Sequence, residues 1–185
     1  MRIIVAISGA SGAVYGISIL KELSARSVET HLVLSAAARY IIAQETASTV
    51  GQVTSLATRT YDENDFTAPI ASGSFPCQAM VVAPCSMKTL AGIASGYAEN
   101  LILRAADVTI KERRRLILVT RETPLSPIHL ENMLKLARLG VVIMPPVPAF
   151  YTRPATIDDI VRQTTGRLLD LLGLDNDLTQ RWGQN

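Results

Sequence analysis

The residues best suited to chemistry gather at short polar junctions between apolar runs. Ser8-Gly9-Ala10-Ser11-Gly12 is a small-residue turn, of the kind that lets backbone N–H groups and a helix N-terminus meet a phosphate. The turn lacks the G-x-G-x-x-G spacing of dinucleotide sites. The next apolar run ends at Ser35, where an adenosine-binding site would place an acid. Together these features point to a mononucleotide and away from NAD. A tight turn with no ligand would explain the glycines alone, so the other junctions must decide.

Ser86 follows an apolar run and precedes a helical pattern, so it suits an N-cap. In that place Ser86, Met87 and the N–H groups nearby could also touch a ligand. Arg121 and Glu122 stand directly after another apolar run, where a charge needs a reason. They could pair with each other, or serve as a phosphate ligand and an acid/base group. Arg104 and Lys111 are seven residues apart, which puts them on one helix face. For Lys111 the functional and structural readings stay open; Arg113, Arg114 and Arg115 read as a solvated basic stripe. Arg167 shares the edge of an apolar face running through Ile157, Ile160, Val161, Leu168, Leu171 and Leu172. An arginine facing inward must be paired, either with a structural carboxylate or with a bound phosphate. Tyr151 sits in a loop stiffened by Pro145, Pro146, Pro148 and Pro154, where its hydroxyl either packs or reaches a phosphate.

The elements that must position these residues alternate in type. Strand-like runs are expected at 2–8, 29–34, 79–83, 115–120 and 141–144. Helical patterns are expected at 13–26, 36–46, 87–94, 99–112, 128–139 and 156–172. The stretch 49–75 reads as a helix, a short strand and a long loop. Such alternation implies a three-layer, Rossmann-like α/β fold with a mostly parallel sheet and helices on both faces. Ligands in such folds sit beyond the carboxyl ends of the strands, and the five polar junctions should all open onto that edge.

A length of 185 residues suits a single domain spanning 1–185. Apolar residues make up 48% and charged residues 18%, which suits a sheet buried on both faces and, beyond that, apolar surface hidden between subunits. The tail 174–182 is expected to reach a neighbouring subunit. A net charge of +2 leaves no basic footprint for nucleic acid. Cys77 and Cys85 have no second Cys pair or His cluster beside them, so no metal site is expected. The N-terminus lacks a signal-peptide layout and no apolar run reaches membrane-helix length, so a cytoplasmic protein away from membranes is expected.

Several motifs line up in order along nearly the whole chain. They read ISGASGA at 7–13, ETHLVLS at 29–35, ASGSF at 71–75, PCSMKTLAGI at 84–93 and RAADVTIKERR at 104–114. RETPLS at 121–126, IHLENMLKLARLG at 128–140 and PPVPAFYTRP at 145–154 complete the series. In this set the chain resembles the UbiX family of flavin prenyltransferases, within the flavin-binding decarboxylase-like superfamily. The resemblance implies an FMN-binding, flavodoxin-related fold. It implies transfer of a dimethylallyl group from dimethylallyl phosphate to N5 and C6 of reduced FMN, without a metal. The product, prenylated FMN, would serve UbiD-type decarboxylases, and the assembly would be a homododecamer.

By position, the resemblance implies FMN contacts from Gly9, Ala10, Ser11, Ser35, Ser86, Met87, Lys88, Thr89, Arg104 and Arg121. It implies that Lys111, Arg121, Tyr151 and Arg167 hold the allyl phosphate, and that Ser11, Glu45 and Glu122 handle protons. Phe66 stands where relatives can carry tryptophan beside the dimethylallyl group; its π-face can still shield an allyl cation. A flavin-dependent cysteine decarboxylase is the rival enzyme reading. It would need an Asn-containing helix start in place of 85–88 and a catalytic histidine, which His31 and His129 do not suggest. A non-enzymatic carrier of modified FMN is the third reading.

Overall fold

A computed structural model describes residues 1–183. Six parallel strands form one sheet: β1 (Arg2–Ile7), β2 (Glu29–Leu34), β3 (Arg59–Tyr61), β4 (Ala79–Cys85), β5 (Arg115–Thr120) and β6 (Val142–Ile143), in the order β3-β2-β1-β4-β5-β6. This is the doubly wound Rossmann order, whose direction reverses between β1 and β4. After Arg2 the central strands β1 and β4 are buried and apolar, because both faces are covered.

The pleat sorts the strand residues between two cores. Ile3, Val5, Ile7, Leu32, Leu34, Val81 and Val119 face α1 (Ala13–Ala25), α2 (Ala36–Glu45), α3 (Val50–Thr54) and α7 (Ile157–Leu172). Ile4, Ala6, Val33, Met80, Val82 and Leu118 face α4 (Met87–Ser95), α5 (Leu101–Lys111) and α6 (Pro127–Arg138).

Strand β4 runs two residues past its expected end, through Pro84 and Cys85, with a register irregularity against β5. Ser8 fixes this extension at the switch point. Its Oγ donates to the Pro84 carbonyl at 2.8 Å and accepts from the Ser86 N–H at 2.8 Å. The ends of β1 and β4 are thereby tied where their following helices diverge.

Two expectations need correction. Arg114 is not merely solvated: its guanidinium binds the Phe75 carbonyl at 2.7 Å and the Gly73 carbonyl at 2.8 Å, holding the 71–75 loop. The inward face of α7 is Val161, Thr165, Leu168, Leu169 and Leu172, while Ile157 is exposed and the Arg167 side chain is 52% exposed. Ile157 opens the helix beyond the reach of the core, and this displaces the apolar face from the one its spacing suggested. Part of the tail also packs on its own chain, where Asn176 reaches the Gly166 carbonyl and Tyr151 donates to the Gln180 carbonyl.

Candidate active site at the carboxyl edge of the sheet

Because all six strands are parallel, the five polar junctions share one edge. Three helix N-termini converge there, each capped by a side chain that accepts from a first-turn N–H. Ser35 caps α2 through Ala38 at 3.0 Å, Ser86 caps α4 through Thr89 at 3.2 Å, and Asn100 caps α5 through Leu103 at 3.0 Å. Between them lies a cleft of about 370 Å³ lined by Gly9, Ser35, Ser86, Lys88, Thr89 and Asn100 among others. Each helix end carries partial positive charge, so their convergence favours an anion.

Gly9 and Gly12 serve this cleft for different reasons. A Cβ on Gly9 would fall 2.4 Å from the Ala37 Cβ, so a side chain there would close the space between the turn and α2. Gly12 has φ 101°, a left-handed conformation that glycine adopts without strain.

Beside the turn stands Glu45, whose Oε2 accepts from the Gly12 N–H at 2.7 Å. Burial pushes its carboxyl up, but hydrogen bonds from Ser11, Gly12 and Ala13 and the positive charge of Arg121 outweigh burial and hold it below the usual carboxylate range. Ser11, Glu45 and Arg121 therefore form one electrostatic group. Glu122 is exposed at the same edge, accepts from the Thr123 N–H at 3.0 Å, and forms no salt bridge with Arg121.

A second hollow, of about 220 Å³, joins Tyr151 and Arg167 with Met144, Pro145, Gln163 and Thr164. Tyr151 and Arg167 thus line one hollow beyond the end of β6. Tyr151 also meets Trp182 edge to face at 5.1 Å. Arg167 pairs with Asp170 at 2.7 Å, and Asp170 additionally takes Arg181 and Asn176.

The remaining positions differ in their settings. Ala10 is buried and Met87 packs on the core, while Lys88 is 86% exposed and 3.8 Å from Glu99. Phe66 is exposed, in the loop that follows β3. Arg104 donates to the Ala71 carbonyl at 3.0 Å and pairs with Asp107 at 2.8 Å. Lys111 ends α5 at the opposite, amino-terminal edge, paired with Glu112. One chain does not bring Lys111 to the cleft. A larger hollow of about 450 Å³ also lies at that opposite edge, lined by Arg113, Arg114 and Arg115, with none of the turn or cap residues.

Two cleft residues escaped the sequence reading. Asn100 was hidden because the helical pattern begins at 99, two residues before α5 begins at Leu101. Glu63 lies in the irregular stretch, and only its location beside α2 and α5 reveals it.

The strand order and the anion-ready cleft at the switch point define a nucleotide-binding α/β protein, and residues 1–169 match the family described as Flavoprotein. A probable UbiX-like flavin prenyltransferase of Streptomyces sp. strain D7 is 55% identical, covering 98% of this chain and 92% of that protein. A dodecameric FMN-dependent Ubix-like decarboxylase from Escherichia coli O157:H7 superposes with TM-score 0.97 at 51% identity, covering 98% of this chain and 99% of that one. AnUbiX (PadA1), solved with FMN and dimethylallyl pyrophosphate, gives TM-score 0.97 at 52% identity, covering 100% of this chain and 98% of that one. The chain belongs to the UbiX-like flavin prenyltransferases.

Proposed function

We propose that this chain transfers a dimethylallyl group from its phosphate to reduced FMN, releasing prenylated FMN and inorganic phosphate. The single observation that carries this reading is the three-helix cleft at the β1–β4 switch point, in a chain of this family. The cleft fits a phosphate: Gly9 leaves a space that any side chain would fill, and the α2 end offers N–H groups. Gly9, Ala10, Ser35, Ser86 and Thr89 would hold the flavin phosphate and its chain, with Met87 and Lys88 at the mouth.

When bound, reduced FMN supplies N5 and C6 as the atoms that accept the allyl group. Tyr151 and Arg167 would hold the leaving phosphate, with Arg121 on the side of Glu45, and stabilise the charge that develops as the C–O bond breaks. Glu45, kept ionised by Ser11 and the turn N–H groups, would accept the proton displaced from the flavin, directly or through Ser11. Glu122 is the second proton acceptor at this edge. Phe66 would flank the allyl group and exclude water.

The rival cysteine decarboxylase reading loses its histidine. His31 is 2% exposed within β2, bonded to Tyr61 and Glu29, and His129 caps α6. We further propose the homododecamer, supported by exposed Ile128, Leu130, Leu134 and Leu139 on and just after α6 and by the dodecameric Escherichia coli relative. A UbiD-type decarboxylase is the proposed recipient of the product, and the cytoplasm the proposed compartment. Incubation with reduced FMN and dimethylallyl phosphate, followed by mass spectrometry, tests the reaction. A flavin heavier by one five-carbon prenyl unit is expected. Unchanged flavin beside intact allyl phosphate overturns it, and flavin binding without turnover indicates a carrier.

A further inference from the structure

We propose that the Glu63 carboxylate is an internal competitor of the FMN phosphate for the amino end of α2, and so sets how readily flavin leaves the site. The inference rests on the FMN reading above. Glu63 belongs to the loop after β3, yet its Oε1 accepts from the Ala36 N–H at 2.5 Å. Its second carboxylate oxygen faces the Asn100 amide at 3.4 Å. Its backbone carbonyl accepts from the Leu101 N–H at 2.7 Å. One residue therefore bridges the N-termini of α2 and α5, inside the cleft that Gly9, Ser86 and Thr89 also line.

The N–H inventory at α2 makes the conflict concrete. Ala38 donates to the Ser35 cap and Ala36 donates to Glu63. A phosphate seated on this helix end would draw on the same first-turn N–H groups, and it cannot share the Ala36 donor with a carboxylate of the same sign. Glu99 lines the cleft as well, so a displaced carboxylate gains nothing by moving deeper. It can swing outward, because its loop stays tied through the Glu63 carbonyl to Leu101. Such an exchange suits an enzyme whose product is itself a cofactor and must be handed on. The returning carboxylate replaces the phosphate's hydrogen bond, so release does not leave a bare helix end.

A permanent brace would have the same bonds and the opposite consequences, so flavin titrations of Glu63→Gln and Glu63→Ala decide. Flavin-free protein is titrated with FMN and with riboflavin, which lacks the phosphate, and FMN dissociation is timed. In Glu63→Gln, FMN binding should tighten roughly tenfold and dissociation slow in proportion, because a neutral amide competes less than a charged group. Riboflavin affinity should stay at the wild-type value. Glu63→Ala should show the same selectivity for FMN; the near-isosteric glutamine keeps the test alive if alanine misfolds. Unchanged or weakened FMN binding in Glu63→Gln overturns the proposal, as does an equal change for FMN and riboflavin. Failure of the wild-type chain to bind FMN overturns the flavin reading itself, and the proposal falls with it.

Discussion

Arg167 shows how one residue changes meaning between pattern and structure. Spacing placed it on an inward apolar edge, where loss of its charge would strand a buried partner. The structure leaves its side chain 52% exposed, and its partner Asp170 keeps Arg181 and Asn176. A half-exposed ion pair contributes little, so Arg167→Ala should cost less than about 1 kcal/mol of stability. Affinity for dimethylallyl phosphate should fall by about tenfold or more, since a charge-assisted contact is lost. FMN affinity should hold, and calorimetry on the one variant reads all three quantities. Glu29 carries a different consequence. Hydrogen bonds from Arg2 and then His31 lower its carboxyl to about 2. A folded-state value below the unfolded one means stability that is present above about pH 4.3 and is lost as pH falls toward 2. The melting temperature of Glu29→Gln should therefore depend less steeply on pH between those limits than that of the wild type. Parallel slopes would show that the Glu29 network is energetically idle.

At the scale of elements, helix and strand positions were legible because their apolar periods are strong and their caps are explicit. Ser35, Ser86 and Thr156 each precede a helix and each caps it. Long-range packing was not legible. Gly16 lies inside α1, where propensity alone disfavours it, and nothing nearby in sequence explains it. In the fold α1 crosses so close to the sheet that a Cβ on Gly16 would meet the Ala83 carbonyl at 2.2 Å and the Ile7 side chain at 2.7 Å. Backbone cannot yield as a side chain can, so Gly16→Ala should destabilise by about 1–3 kcal/mol or more despite its better helix propensity. Gly51 in α3 is the control: a Cβ there meets only Thr49 Oγ1 at 3.9 Å. Gly51→Ala should be neutral or stabilising by up to about 1 kcal/mol. Opposite signs in thermal melts would confirm that contact with the sheet decides the outcome. Glu63 was illegible for a related reason, since an irregular loop has no period that says which helix ends it will meet.

The whole molecule poses the question that a single chain leaves open. Lys111 and Arg167 are both implied to hold the allyl phosphate, yet Lys111 ends α5 at the amino edge of the sheet, whereas Arg167 lines the hollow beyond the carboxyl edge. A rigid parallel sheet separates the two edges, so no side-chain rotation brings them together. A second copy can, and the exposed apolar residues of α6 supply surface for assembly. The consequence is testable by complementation. Lys111→Ala and Arg167→Ala chains, each assembled alone, should be poorly active with allyl phosphate. Coexpressed with distinguishable tags and purified as mixed oligomers, they should recover activity. If each site takes Lys111 from one chain and Arg167 from another, random mixing leaves about a quarter of the sites with both residues intact. If both act within one chain, every chain carries one defect and mixing restores nothing. Wild-type-like FMN binding in all the oligomers would assign the loss to allyl phosphate handling, because Gly9, Ser35 and Ser86 come from a single chain. A mixed oligomer as inactive as its parents would return Lys111 to a structural role at the α5 terminus.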